Sequence, residues 1–485
     1  AGGEKNLVMP SASCVANLNP LLEGYKEAAM LNPIYDPLYV IDVNETRYYL
    51  ADSYEVSEDG MQITVKLKEG LKWHDGEAIT ADDMIFTMDV CSDTNNGAGG
   101  TNIVILNDQP VKYEKVDDLT VKVTLPMASA SYADLLGGLT LIPEHVFEGN
   151  PSVVSAGEAN MKGIGSGPYK VTEFKQDEYL LLEKYEDYYM GAPSIDKVTF
   201  RIISDLSAQE VALMNGEVNF MELANAPAVA KYEADPNFTV VKYPEGRVNY
   251  LAVNKFCETV QDPKVVEAVF AALNRDEIIA GAYGDGMAES ANSIFSNVNT
   301  FYDPSVEGYT QDVEKAKQLV KETGLDSKTL TLYFNSERVY MKESAQIIQQ
   351  QLKNVGINLE VIPLESAGFF EKVFGTDGDY EFYLNGYGAV GDPDQVVAGM
   401  YDGTWGVNLA VSDEVSQLWK DARTVYTPEE RAAIYKQIQI QTRDELTCYP
   451  IAYPNYVFVT TSNIKGADTI KRTPVFEDYT KLTME

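Results

Sequence analysis

The chain has 485 residues, 74 of them acidic and 38 basic, for a formal net charge of −36. That surplus repels phosphate backbones and excludes nucleic acid as a partner, while it suits an abundant exported protein kept soluble by charge. No apolar run reaches the ~18 residues that a membrane-spanning helix needs.

At about 100–200 residues per domain the length predicts two to four domains. The chain starts Ala-Gly-Gly-Glu, without an initiator Met or an apolar leader. We therefore expect a processed or trimmed product, compatible with removal of a secretory signal. A short apolar start at 6–9 leads to Leu18-Asn19-Pro20-Leu21-Leu22-Glu23-Gly24-Tyr25, a polar loop with a helix after it. At 61–68 apolar and polar residues alternate: Ile63, Val65 and Leu67 against Thr64, Lys66 and Lys68. That is the period of a half-buried strand. Asp59-Gly60 and Glu69-Gly70 supply turn chemistry around it. Thr80, three residues before Asp83, is placed to cap a helix that carries Met84, Ile85 and Met88.

The Asn- and Gly-rich stretch 92–101 reads as a flexible surface connection. Segments 111–115 and 120–125 read as a hairpin across Asp117-Asp118. Gly163, Gly165 and Gly167 superficially suggest phosphate binding. No Lys-Ser/Thr follows, however, and a strand (169–174) comes next instead of a helix, so the glycines are expected to serve a tight crossing. A second hairpin arm lies at 179–184. The order strand 198–203, helix 207–215 capped by Ser207 with Glu210, strand 218–222 predicts a parallel pair with a crossover helix.

A new pattern starts at 248–254. Helix 313–322, strand 329–334, helix 341–354 and strand 357–362 predict a second β–α–β unit. Helices follow at 413–423 and 428–445, the latter opened by Thr427 as cap and Pro428. Strand 457–462 is expected to return to the first lobe. Before these helices lies 385–408, NGYGAVGDPDQVVAGMYDGTWGVN. A loop this long without its own elements is usually functional or disordered. Its aromatic, polar and Gly composition suits ligand contact.

Cys14, Cys91, Cys257 and Cys448 form no C-x-x-C, against a zinc or redox centre. Buried thiols are expected, with room for one disulfide in an oxidising compartment. His74 and His145 are the only histidines, which limits imidazole catalysis and metal ligation. No nucleophile–His–acid arrangement and no metal-ligand spacing stands out. The expectation is a protein that is not an enzyme and carries no cofactor or metal.

Several stretches resemble family 5 solute-binding proteins, the peptide and nickel-chelate receptors of ABC importers. They are Leu50-Ala51-x-Ser53 with Ser57-x-Asp59-Gly60, then Trp73-His74-Asp75-Gly76 with Ile79-Thr80-Ala81-x-Asp83. Leu141-Ile142-Pro143-x-His145, Gly165-Ser166-Gly167-Pro168-Tyr169 and Tyr188-Tyr189-x-Gly191-x-Pro193-x-Ile195-Asp196-Lys197 also match, as does Tyr250-x-x-x-Asn254 with the helix that ends Ala272-Leu273-Asn274-Arg275. This chain departs from the family's pattern in that helix, with Val266-Glu267 where an Arg is usual. The resemblance implies an α/β, two-lobed periplasmic-binding-protein-like fold (class II type) with an extra subdomain inserted in the first lobe. The expected bounds are 1–38 with 160–250 and 458–485 for lobe I, 39–159 for the insert and 251–457 for lobe II.

It further implies capture of a solute, most often a peptide, in the interlobe cleft and delivery to a membrane permease by a monomeric receptor. Such a receptor is extracytoplasmic, either a cell-surface lipoprotein or periplasmic. Oligosaccharides and metal chelates are alternative ligands, and a surface adhesin or chaperone is a distant alternative role. The expected ligand-binding residues are Glu23, Gly24, Tyr25, Asn385, Tyr387, Asp392, Trp405 and Asn408. In the family's peptide receptors an Asp in the last region pairs with the peptide α-ammonium. That position here is Ala389 or Val390, and Asp392 takes over only if the loop is shifted.

Overall fold

In the computed structural model, which describes residues 3–24, 27–42, 45–469 and 476–485, the chain divides into two compact units. Unit 1 is Ala1–Tyr243 with Tyr456–Glu485, and unit 2 is Pro244–Asn455.

Unit 1 holds two four-stranded sheets. The strands are β1 (Asn6–Ser11), β2 (Ala51–Val56), β3 (Gln62–Leu67), β4 (Lys112–Asp117), β5 (Thr120–Thr124), β6 (Tyr169–Lys175), β7 (Tyr179–Lys184) and β8 (Lys197–Ile202). The first sheet has the order β1-β8-β7-β6, with β1 and β8 parallel and the other pairs antiparallel. The second, β2-β3-β5-β4, is antiparallel throughout. The alternation at 61–68 works as expected. Ile63, Val65 and Leu67 enter a core with Trp73, Met84, Met88, Val121 and Val123, while Gln62 and Lys66 face water. Residues expected to form an insert, 39–159, share this core, joined by Leu21 and Leu38. The first sheet packs on separate apolar residues, among them Leu7, Met9, Leu180, Val198 and Phe458.

Helix α1 (Ala81–Ser92) starts at a complete capping box. The Thr80 hydroxyl accepts from Asp82 N at 3.2 Å, and Asp83 Oδ2 accepts from Thr80 N at 2.9 Å. The glycine run makes the expected close crossing. A Cβ on Gly165 would overlap the Ile34 carbonyl, and one on Gly167 would lie 2.7 Å from Pro33 O. His74 locks this crossing: Nδ1 accepts from Gly165 N at 3.1 Å and Nε2 donates to Gly167 O at 2.9 Å. Burial pushes its pKa down to about 4.

Three local expectations change. Stretch 92–101 is packed rather than free. Asn96 is buried, its amide nitrogen donates to Val90 O and Pro151 O, and its oxygen accepts from Val154 N. Helix α2 (Leu206–Met214) is capped by Asp205, which accepts from Ala208 N at 2.8 Å. Glu210 instead bonds Lys231 and Tyr232, so the box at Ser207 does not form. Strand β9 (Phe220–Glu222) does not pair with β8. The neighbour of β8 is β1, and Asn219 bonds Val8 through backbone and side chain at 3.0 and 2.8 Å.

Unit 2 is built on β10 (Arg247–Val253), β11 (Thr329–Asn335), β12 (Asn358–Leu364), β13 (Phe382–Gly388) and the first part of β14 (Cys448–Thr461). Their order is β14-β10-β13-β11-β12. The predicted β–α–β holds, with α3 (Met341–Asn354) crossing between the parallel strands β11 and β12. Strand β10, expected to end the first lobe near 250, belongs wholly to unit 2. It pairs with β13 along its full length, from Arg247–Gly388 to Val253–Phe382. The returning strand is longer than the predicted 457–462: β14 runs 14 residues from Cys448. Helix α4 (Pro428–Asp444) begins after Thr427 without a side-chain cap, so the predicted Thr cap is absent. Residues 385–408 are not one irregular loop. The first four complete β13, and single-turn helices follow at Pro393–Val396 and Ala398–Tyr401. The four cysteines are free thiols, so the disulfide is not formed.

Candidate functional site

Strands β11, β12 and β13 run parallel. Their carboxyl ends, Asn335, Leu364 and Gly388, therefore share one edge of the unit 2 sheet. Strand β10 runs the other way and brings its first residue, Arg247, opposite Gly388. In open α/β sheets this edge is where ligands bind, because the loops leaving the strands diverge there.

The segment after β11 carries Arg338. Its guanidinium is half-buried and, among the described residues, forms neither an ion pair nor a hydrogen bond, lying only 6.0 Å from the Phe370 ring. Burial holds its pKa below the ordinary arginine value, and the charge of Arg247 lowers it further. Tyr250 and Glu245 act in the opposite sense. Arg247 reaches Glu245 only loosely, with Nε 3.4 Å from Oε1. A half-buried cation without a protein anion is costly, and an anionic group of a ligand would complete it. On β10 and β13, Tyr250 and Asn385 are direct cross-strand partners. The buried Tyr250 hydroxyl interacts with Asn385 and Tyr383 inside unit 2. The edge thus carries two guanidiniums, Arg338 and Arg247.

The residues expected from sequence fall in different places. Asn385 lies in the middle of β13, opposite Tyr250 and three residues before this edge. Tyr387 is buried, and its hydroxyl donates to Ile294 O at 2.6 Å. Asp392 is buried against Arg431 in a two-pronged pair of 2.6 and 3.0 Å, and it caps the turn at Asp394. Asn408 is fully buried; it accepts from Lys255 N at 3.0 Å and donates to Asn254 and to the Tyr380 hydroxyl. These three side chains are engaged by the protein's own groups, inside unit 2. Trp405 is 48% exposed, with its ring over Gly399, where a Cβ would collide with it. Ala389 is buried, and Val390 is partly exposed next to Gly246. In unit 1, Glu23 accepts from Asn17 N at 2.8 Å and Gly24 is exposed. Tyr25 lies outside the described residues. His145 pairs at the surface with Asp75, Nε2 to Oδ2 at 2.7 Å, a structural contact.

Arg338 and Arg247 were not singled out from sequence. The usable signal was positional: Asn335-Ser336-Glu337-Arg338 follows directly on a parallel strand, at its carboxyl end. Among the described residues no group of His, Cys, Asp and Glu could hold a metal ion, and no helix is long and apolar enough to cross a membrane.

Comparison with known proteins agrees with this architecture. The dipeptide-binding protein of Escherichia coli K12 is 27% identical over 499 aligned residues, covering 95% of this chain and 92% of that protein. The substrate binding protein CtaP of an ABC transporter from Listeria monocytogenes superposes with a TM-score of 0.90 at 33% identity, over 99% of both chains. The oligopeptide-binding protein AppA of Bacillus subtilis, solved with a nonapeptide, gives a TM-score of 0.72 at 25% identity over 99% of both chains. The family model described as bacterial extracellular solute-binding proteins, family 5 (middle region), matches residues 45–408. The chain belongs to the family 5 extracellular solute-binding proteins, and its fold is the α/β fold of that family of ABC transporter receptors.

Proposed function

We propose that this protein captures peptides for an ABC importer and that the strand-end edge of unit 2 holds the peptide's carboxylate. The observation that carries the reading is the half-buried Arg338 guanidinium, which forms no ion pair among the described residues and lies against the Phe370 ring. Arginine offers a carboxylate two parallel N–H donors, and such charge-assisted bonds are the strong ones. Arg247 adds a second positive charge beside it. The names of the relatives, dipeptide-binding and oligopeptide-binding, support the same ligand class.

The peptide leaves unchanged: the role is that of a receptor and not of an enzyme. The protein works as an extracytoplasmic monomer whose partner is the membrane permease of the importer. Asn385 belongs to the ligand-contacting set with Arg338 and Arg247, and Trp405 offers an exposed ring for a ligand side chain. Glu23, Gly24 and Tyr25 are further candidates for ligand contact from the sequence.

A thermal-shift assay tests the reading. Peptides with a free carboxylate should raise Tm, since a ligand at 1,000 times its Kd stabilises by about 4 kcal/mol. The same peptides amidated at the C-terminus should raise it far less. Equal shifts from both forms, or turnover of the peptide, would rule the reading out.

A further inference from the structure

The two guanidiniums at the unit 2 edge are carried by different segments, and one aromatic bridge ties those segments together. Arg338 stands two residues before Tyr340, and Arg247 stands two residues before Asn249. Tyr340 precedes α3 with φ +70°, a left-handed conformation that a bulky side chain rarely adopts. Its ring stacks on Tyr283, with centroids 4.3 Å apart and planes 29° apart. Tyr283 is buried at the end of a π-helical turn, Ile279–Tyr283, an uncommon conformation that is frequent at functional sites. The Tyr283 hydroxyl accepts from Asn249 Nδ2 at 2.7 Å. Asn249 faces Gly386 across the sheet, and a Cβ at 386 would overlap its Oδ1. The path from Arg338 to Arg247 is therefore continuous: strained Tyr340, stacked Tyr283, hydrogen-bonded Asn249.

Strained backbone persists only where its surroundings over-determine it. Here the surroundings hold two like charges near each other, an arrangement that mutual repulsion opposes. We propose that Tyr340, Tyr283 and Asn249 are positioning residues: they pre-organise Arg338 beside Arg247 so that a ligand carboxylate meets a double-guanidinium site already assembled. Pre-organisation raises affinity by removing the ordering cost at the moment of binding. The inference rests on the carboxylate-site reading given above.

The test uses the full chain and two peptide libraries, random sequences of three to nine residues with either a free or an amidated C-terminus. Retention is measured by mass spectrometry after capture, and melting temperature is recorded in parallel. The diagnostic quantity is the preference for carboxylate over amide. Wild type should prefer the free carboxylate strongly, and R338A should lose the preference. Y283F, which deletes only the hydroxyl that Asn249 bonds, should reduce the preference about tenfold, and Y340G should do the same. A merely structural role would weaken both libraries together and leave the ratio intact. If R338A removes the preference while Y283F and Y340G keep the wild-type ratio, the bridge is not a positioning device and the site reading stands. If wild type shows no preference, or R338A behaves as wild type, the site reading itself falls and this inference with it.

Discussion

Unit 2 contains two clusters of arginine treated in opposite ways. In the 389–408 region Arg431 is buried with Asp392 and lies over the rings of Phe301 and Tyr435, and Arg423 is held by Asp394 and Asp402. At the strand-end edge Arg338 has no carboxylate of its own and Arg247 only a loose one. The difference teaches where to look for a binding site. Charge matched inside the fold stabilises the segment that carries it, and charge left unmatched in a half-buried place awaits a partner from outside.

The largest expected effect breaks the matched cluster. D392A strands the Arg431 guanidinium in a dry interior, which should destabilise the fold by about 3–5 kcal/mol, read as a lower midpoint in urea. A loss below about 1 kcal/mol would show that water reaches Arg431.

The second prediction extends the contrast to titratable groups in unit 1. His74 is buried neutral, its pKa depressed from 6.5 to about 4. Its contribution is complete above pH 6.5 and is lost as pH falls toward 4, about 3 kcal/mol in all. Asp36 is buried too, bonded by the Tyr188 and Tyr189 hydroxyls at 2.7 and 2.6 Å, and burial raises it from 3.8 to about 7. Its contribution has the opposite sign: complete below pH 3.8 and lost as pH rises through 7. Between pH 7 and 4 the two should nearly cancel in wild type. D36N removes one of them, so its stability should drop by about 3 kcal/mol over that range. Parallel pH profiles for D36N and wild type would refute the pairing.

R338A sharpens the other side of the comparison. Among the described residues none forms an ion pair with that guanidinium, so Tm should stay within about 1 °C or rise slightly as the repulsion from Arg247 disappears. Affinity for carboxylate peptides should fall about 30-fold, equivalent to about 2 kcal/mol, measured by calorimetry. The smallest effect comes from T80A at the start of α1, about 1 kcal/mol by loss of a helix cap. It is a reference for what a purely local feature contributes, and peptide affinity should not change.

Local structure was legible wherever a short-range rule decided it. The alternation at Ile63, Val65 and Leu67, the Thr80 capping box and the close-crossing glycines at 165 and 167 all follow from geometry within a few residues. Errors arose where distant chain intervened. Strand β1 took the place beside β8 that the β–α–β order gave to β9, and Asp205, two residues before the predicted cap Ser207, capped α2. The site was the least legible part. Asp392, Tyr387 and Asn408 are conspicuous in sequence as polar and aromatic residues in a Gly-rich run, but tertiary contacts with Arg431, Ile294 and Asn254 engage them. Arg338 looks unremarkable in its helix-leading segment, because lacking a partner is a property of the folded neighbourhood and not of the residue.

The four free thiols have a practical consequence. Cys91, Cys257 and Cys448 are buried, and burial pushes Cys91 and Cys448 up to about 12. At neutral pH they hold almost no thiolate, the species that reacts with maleimides and oxidants. Cys14, partly exposed at the amino-terminal side of unit 1, is then the natural attachment point for a single fluorophore. Labelling there would attach a probe without an engineered cysteine and without touching the unit that carries Arg338.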